Sequence, residues 1–237
     1  MNKTVTIIIR AQNAQDSIGL LVEKILVRPF VEEFVQEIIL IDDGSTDSTL
    51  LEIQKFNNPK LRPFHFDSPK GKTKAIEFGL AKVKSDITIF WPATLEYDPD
   101  EIINLVSPIL ENQVDVVWGS RYLTYSFQTA PTYLSTCYLK CLSCWNGLLN
   151  NKYLTDVMSE IFAIKTSVLQ KKIFIDKTIG FNVEVLSTIS ENKENPLDLV
   201  EIPVKSHPKF ANPLSFANFI VLLWISFEVN FRRIFKI

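Results

Sequence analysis

The sequence has no dominant charge. Its 25 lysine and arginine residues nearly balance 27 aspartate and glutamate residues, for a formal net charge of −2. No global basic field therefore points to nucleic acid as a partner. Cysteine is scarce: Cys137, Cys141 and Cys144 are the only three. An odd number in a chain this long is not a small disulfide scaffold, and reduced thiols in a cytosolic setting are expected. A zinc site built on Cys-x3-Cys-x2-Cys would need a fourth ligand, and neither His65 nor His207 stands near it in sequence. Packing along an apolar helix is the plainer expectation for these thiols. There is no internal repeat, low-complexity tract or Gly/Ser-rich linker. A secretory leader is not expected either, because Arg10 interrupts the first apolar run after a few residues.

What is present is apolar patterning. Of 237 residues, 46% are apolar and 22% charged, which suits one compact core. Short β-branched or apolar runs at 4–10, 37–43, 61–66, 86–91 and 114–120 read as strands. Between them lie helical patterns at 16–27, 45–56, 70–83 and 98–110. Pro29 is expected to stop the first, and Ser45 to Ser48 offer capping side chains to the second. Later, 159–165 and 199–204 read as strands and 180–191 as a helix. Continuous apolar strands alternating with amphipathic helices predict an α/β fold, a mostly parallel central sheet with helices on both faces. One domain is expected over residues 1–212, with a helical excursion at 121–155. Residues 213–237 are expected to form an apolar C-terminal helix. Its apolar run, Phe216 to Val229, is shorter than the roughly 20 residues a bilayer span needs. Arg232, Arg233 and Lys236 follow it. Both an interfacial helix on a membrane and a helix docked on the domain or on a second copy fit this pattern.

The segment Asp42-Asp43-Gly44-Ser45-Thr46-Asp47-Ser48-Thr49 carries the strongest chemical signal. Two acids end a buried strand, a glycine turns the chain, and a helix begins. Ligands of open α/β sheets bind beyond the carboxyl ends of the strands, where an acid can accept bonds from a base or a ribose. A strand followed by a well-capped helix explains the same residues without a ligand, and both readings stay open.

With "TIIIRAQNAQDSIGLLVEKI", "EIILIDDGSTDST", "GKTKAIEFGLAKVKSDITIF", "LEYDPDEI", "DVVWGSRYL", "NGLLNNKYLTD" and "EIPVKSHPK" in this order and spacing, the chain resembles family-2 glycosyltransferases. The likeness is to the branch of dolichyl-phosphate and polyprenyl-phosphate sugar synthases, and it covers roughly residues 4–210. It implies a GT-A fold, a nucleotide-sugar donor of the UDP or GDP type, and inverting transfer to a lipid phosphate or another acceptor. Carried over by position, Asp42, Asp43, Arg10, Ala11 and Lys72 fall at the nucleotide. Gly119, Ser120 and Arg121 match a segment whose arginine lies near phosphates. Asp156 matches an acid acting near the acceptor, so Asp156 and Arg121 are the catalytic candidates. His207 and Lys209 match a His-Pro-basic element closing on the diphosphate. The resemblance also implies a protein of the cytoplasm, peripheral at the inner face of a membrane.

The departures from the family pattern cluster at the chemistry. Where the family has acid-any-acid, this chain has Pro92-Ala93-Thr94. The resemblance implies Mg²⁺ or Mn²⁺ at that turn, held by hard oxygen ligands that proline and threonine do not supply. Glu96 matches a position that ligates metal in some relatives. The first strand ends Arg10-Ala11-Gln12-Asn13-Ala14 instead of Pro-Ala-Tyr-Asn-Glu, and Thr73 replaces a glycine. Two expectations follow. In one, the enzyme is metal-independent and Arg10, Lys70, Lys72 and Lys74 supply the positive charge. In the other, the chain is a catalytically inactive partner subunit on the same scaffold.

Overall fold

β-branched and apolar runs give the frame. β1 (Val5–Ala11), β2 (Val35–Asp42), β3 (Leu61–His65), β4 (Ile87–Pro92), β5 (Val116–Ser120), β6 (Phe162–Lys165) and β7 (Leu199–Pro203) build one sheet. A computed structural model describes residues 3–123, 133–170, 172, 174–176, 179–191, 196–207 and 214–235. Among these, the strand order is β3-β2-β1-β4-β6-β5-β7. All neighbouring pairs are parallel except those of β6, which runs antiparallel to β4 and to β5. The sheet is thus mostly parallel as expected, with one reversed strand near its middle.

Alternation along the strands splits the core in two. Ile7 and Ile9 of β1, Ile38 and Leu40 of β2, and Ile89 and Trp91 of β4 face one side. There they meet α1 (Ile18–Leu26), α2 (Pro29–Phe34), α3 (Thr49–Gln54) and α5 (Glu101–Leu110). Ile8, Ile39, Ile41 and Phe90 face the other side. They pack on α4 (Lys72–Leu80), α6 (Tyr133–Asn150), α7 (Thr166–Leu169), α8 (Phe181–Glu191) and α9 (Phe216–Phe235). Burial on both faces is why these strands read as unbroken apolar runs. Pro29 does more than follow the first helix: it is the first residue of α2, where its missing N–H costs nothing and its fixed φ suits the helix.

α9 docks through one face and leaves the other open. Leu222, Ile225 and Val229 are buried, Ser226 Oγ donates to Asn146 Oδ1 of α6 at 2.8 Å, and Arg233 donates to the Leu149 carbonyl at 2.9 Å. Phe216, Ile220, Trp224, Phe227, Phe231 and Phe235 are exposed, Trp224 by 65%. No helix among the described residues is long and apolar enough to cross a membrane. The three cysteines lie on α6, with Cys137 half-buried and Cys141 and Cys144 exposed.

α8 carries a buried acid. Glu184 accepts the backbone N–H groups of Ile175 and Asp176, each at 2.7 Å. Burial nevertheless raises its carboxyl from 4.5 to about 7. Between those two pH values the folded chain keeps a proton that the unfolded chain gives up. Its contribution is therefore complete below pH 4.5 and lost as pH rises through 7. The loss is worth up to about 3 kcal/mol. Urea midpoints of the wild type are expected to fall from pH 5 to pH 8, and Glu184→Gln is expected to flatten that slope.

Candidate functional site

The parallel strands end on one side of the sheet. Register places Arg10 beside Pro92 and Ala11 beside Asp42, so the ends of β1, β2 and β4 are neighbours. A pocket of about 250 Å³ opens there. Arg10, Gln12, Lys72, Pro92, Thr94 and Glu160 line it with polar groups or backbone, and Ile8, Ile76, Phe90, Phe162 and Phe181 form its apolar wall. A cleft at the strand ends that sets polar groups against an apolar wall is a usual place for a small-molecule site in this architecture.

Asp42 and Asp43 do not line this pocket. Asp43 is fully buried, at 0% exposure, and its carboxylate is saturated. Oδ2 accepts Arg10 Nη2 at 2.6 Å, Arg10 Nε at 3.0 Å and the Gly71 N–H at 3.2 Å, while Oδ1 accepts the Lys70 N–H at 2.6 Å. Asp42 accepts the Ser45 N–H at 3.2 Å and lies 2.8 Å from His65 Nδ1. The rest of the aspartate-rich segment stitches itself to the loop after β1. Asp47 accepts the Thr49 and Gln15 N–H groups, and Asn13 accepts the Thr46 N–H. Gly44 turns at φ 63°, and a Cβ there would stand 2.4 Å from Pro69 N. Ala11 is buried in the core, and its carbonyl accepts the Asp43 N–H at 2.8 Å.

The two pocket cations each have a counter-ion. Arg10 pairs with Asp43 and also donates to Gln12 Oε1 at 2.6 Å. Lys72 pairs with Glu160 at 2.5 Å. Burial resists ionisation of Glu160, but Lys72 and, after it, Arg121 and Arg10 hold its carboxyl below the ordinary value. Lys74 is exposed and Lys70 Nζ donates to Ser68, and neither lines the pocket.

The two catalytic candidates form a separate buried cluster. Arg121 grips Asp156 through Nε at 2.6 Å and Nη2 at 2.9 Å, and its Nη1 donates to Glu96 Oε1 at 3.2 Å. All three side chains are buried, and none lines the pocket. Burial pushes the Glu96 carboxyl up against the pull of Arg121. Burial opposes the charge on Arg121, yet Asp156 holds its guanidinium well above the usual range. The cluster joins the loop after β4, the end of β5 and the turn before β6. The His207 N–H donates to the Glu96 carbonyl at 2.7 Å, which brings the His-Pro element to the same place. Lys209 lies outside the described residues.

The donor set does not fit a divalent cation. Pro92 and Thr94 line the pocket without a carboxylate between them. Glu96 is committed to Arg121 and Asp98 to Arg28. Among the described residues, no group of three or more His, Cys, Asp or Glu side chains is placed to hold a metal ion.

Comparison with known proteins fixes the family. The model of "Glycosyl transferase family 2" matches residues 6–167. The chain belongs to that family. Over 224 residues it is 27% identical to the UDP-N-acetylglucosamine–dolichyl-phosphate N-acetylglucosaminyltransferase of Methanococcus voltae, covering 86% of each chain. Over 112 residues it is 30% identical to the dodecaprenyl-phosphate galacturonate synthase of Rhizobium johnstonii, covering 46% of this chain and 33% of that protein. The family-2 chain thus spans about a third of the length of the latter relative. Its GT-A fold is shared with glucosyl-3-phosphoglycerate synthase from Mycobacterium tuberculosis, solved with Mn²⁺, uridine diphosphate and phosphoglyceric acid. That match has a TM-score of 0.72 at 19% identity and covers 98% of this chain and 78% of that one.

Sequence reasoning did not pick out Glu160, Asn182 or the aromatic wall as site residues. Glu160 precedes β6 by two residues, and only the reversed direction of that strand brings it beside the end of β4. An acid just before an apolar strand was the one available signal. Arg121→Met leaves two carboxylates buried without their cation, and a loss of about 3 kcal/mol or more is expected in urea unfolding. Adding Asp156→Asn is expected to restore part of it.

Proposed function

We propose that this family-2 chain binds a nucleoside-diphosphate sugar in the pocket at the strand ends and transfers the sugar to a lipid phosphate. One observation carries the reading: two immobilised cations, Arg10 and Lys72, line the pocket at the turn where the acid pair of the family is replaced by Pro92 and Thr94. The names of the Methanococcus and Rhizobium relatives, which carry dolichyl phosphate and dodecaprenyl phosphate, support the acceptor class.

The chemistry asks for positive charge. As the acceptor phosphate oxygen bonds to the anomeric carbon, the glycosidic bond breaks and the electron pair leaves with the diphosphate. Cations already fixed in place stabilise that developing charge without reorganising. Arg10 uses Nε and Nη2 on Asp43 and Gln12, which leaves its Nη1 N–H groups for a phosphate. Lys72 has three N–H donors and spends one on Glu160. The acceptor is itself an anion, so the nucleophile needs no general base. Arg121, Asp156 and Glu96 act here as a positioning cluster that holds the loop after β4 against the turn before β6.

A lipid phosphate sits in a bilayer, and the open face of α9 suits its surface. Trp224 and the phenylalanines along it are residue types that favour a membrane interface, and beside them the exposed Arg232 is paired with Glu228 at 2.6 Å. The test is a transfer assay with UDP- and GDP-hexoses and polyprenyl phosphate in anionic vesicles. The wild type is expected to glycosylate the lipid. Lys72→Met is expected to lose about 100-fold in rate, while Trp224→Glu/Phe231→Glu loses vesicle binding. A wild type that binds no nucleotide sugar would favour the inactive partner subunit. Dimers in place of vesicle binding would assign the α9 face to a second copy.

A further inference from the structure

Resting on the donor-site reading above, we infer that Asn182 is a specificity-determining residue, accepting a hydrogen bond from a hydroxyl of the donor sugar. It is the second residue of α8 and lines the pocket, yet is only 1% exposed. Its Nδ2 donates to the Ser159 carbonyl at 2.5 Å. That bond fixes the orientation of the amide, because only the NH₂ end can face a carbonyl. Oδ1 is therefore the end left over, and it has no hydrogen-bond partner among the described residues. A buried amide oxygen without a donor is costly. Asn182 lines the pocket, so a donor on a bound molecule would satisfy that oxygen.

The surroundings define the chemistry of that partner. Asn182 is held by its neighbour Phe181, whose ring packs 5.1 Å from Phe90, 5.1 Å from Phe174 and 6.1 Å from Phe162. Phe90, Phe162 and Phe181 also line the pocket, which gives it an apolar floor. An acceptor beside an apolar floor fits a ring with C–H faces and O–H edges. It fits a phosphate badly, since an anion brings no donor to Oδ1. The cations Arg10 and Lys72 serve the diphosphate, and Asn182 serves the sugar. Removing one neutral hydrogen bond of this kind is worth about tenfold in affinity.

Calorimetry with UDP, GDP, their hexose conjugates and a series of monodeoxy conjugates tests the assignment. Asn182→Ala, checked by circular dichroism for its fold, is expected to weaken hexose conjugates about tenfold and to change the free diphosphates less than twofold. In the wild type, one deoxy position is expected to lose about as much, and that loss is expected to vanish in the variant. This second comparison needs only folded wild type for its first half. If Asn182→Ala weakens free diphosphate and conjugate alike, or if the wild type tolerates every deoxy conjugate, the amide serves the fold and the assignment is wrong. If the wild type binds neither diphosphates nor conjugates, the donor-site reading falls and takes this one with it.

Discussion

The site depends on the ion pair between Arg10 and Asp43. Asp43 is completely buried, and an isolated carboxylate there would be prohibitively expensive. Four N–H bonds satisfy it: two from the Arg10 guanidinium and two from the backbone of Lys70 and Gly71. The pair therefore ties the ends of β1 and β2 to the turn that launches α4. It also fixes a guanidinium as part of the pocket wall, where a flexible arginine would have to be ordered on each binding event. The same turn positions Lys72 as the first residue of α4, so one buried acid organises both pocket cations.

Charge elsewhere in the site is arranged in matched sets. Lys72 faces Glu160, and Arg121 faces Asp156 and Glu96. The Arg121 set is sealed from the pocket, whereas Arg10 and Lys72 line it and each keeps unspent N–H donors. Arg121 and Asp156 join the end of β5 to the turn before β6, and under the proposed function Arg10 and Lys72 would meet the donor. The turn at Pro92-Ala93-Thr94 is neutral, so an incoming diphosphate would find cations on protein side chains and no carboxylate at that turn to hold a metal between them.

Much of the frame was legible in the sequence. Apolar runs of strand length, and amphipathic stretches with capping residues, located the sheet and the longer helices within a few residues. What escaped was long-range. The reversal of β6 leaves no local mark in "IFAIK", yet it carries Glu160 to the crevice. Nothing in "GFNVEV" distinguishes Asn182 from an ordinary helix residue until its carbonyl oxygen is found without a partner. The aspartate-rich segment stayed ambiguous for a related reason. Its acids suit both capping and ligand binding, and only the position of Arg10, 33 residues earlier, shows Asp43 already occupied. Short helices were missed where a proline reads as a stop: Pro29 both follows α1 and opens α2.

The central claim is that side-chain cations, anchored by the acids Asp43 and Glu160, replace a divalent ion at this pocket. The most direct measurement is calorimetric binding of UDP and GDP to the full chain, first in EDTA and then in millimolar Mn²⁺. The account predicts that at least one nucleotide binds in EDTA, and that added Mn²⁺ changes its affinity by less than about threefold, or under 1 kcal/mol. Binding that appears only when Mn²⁺ is present would contradict it.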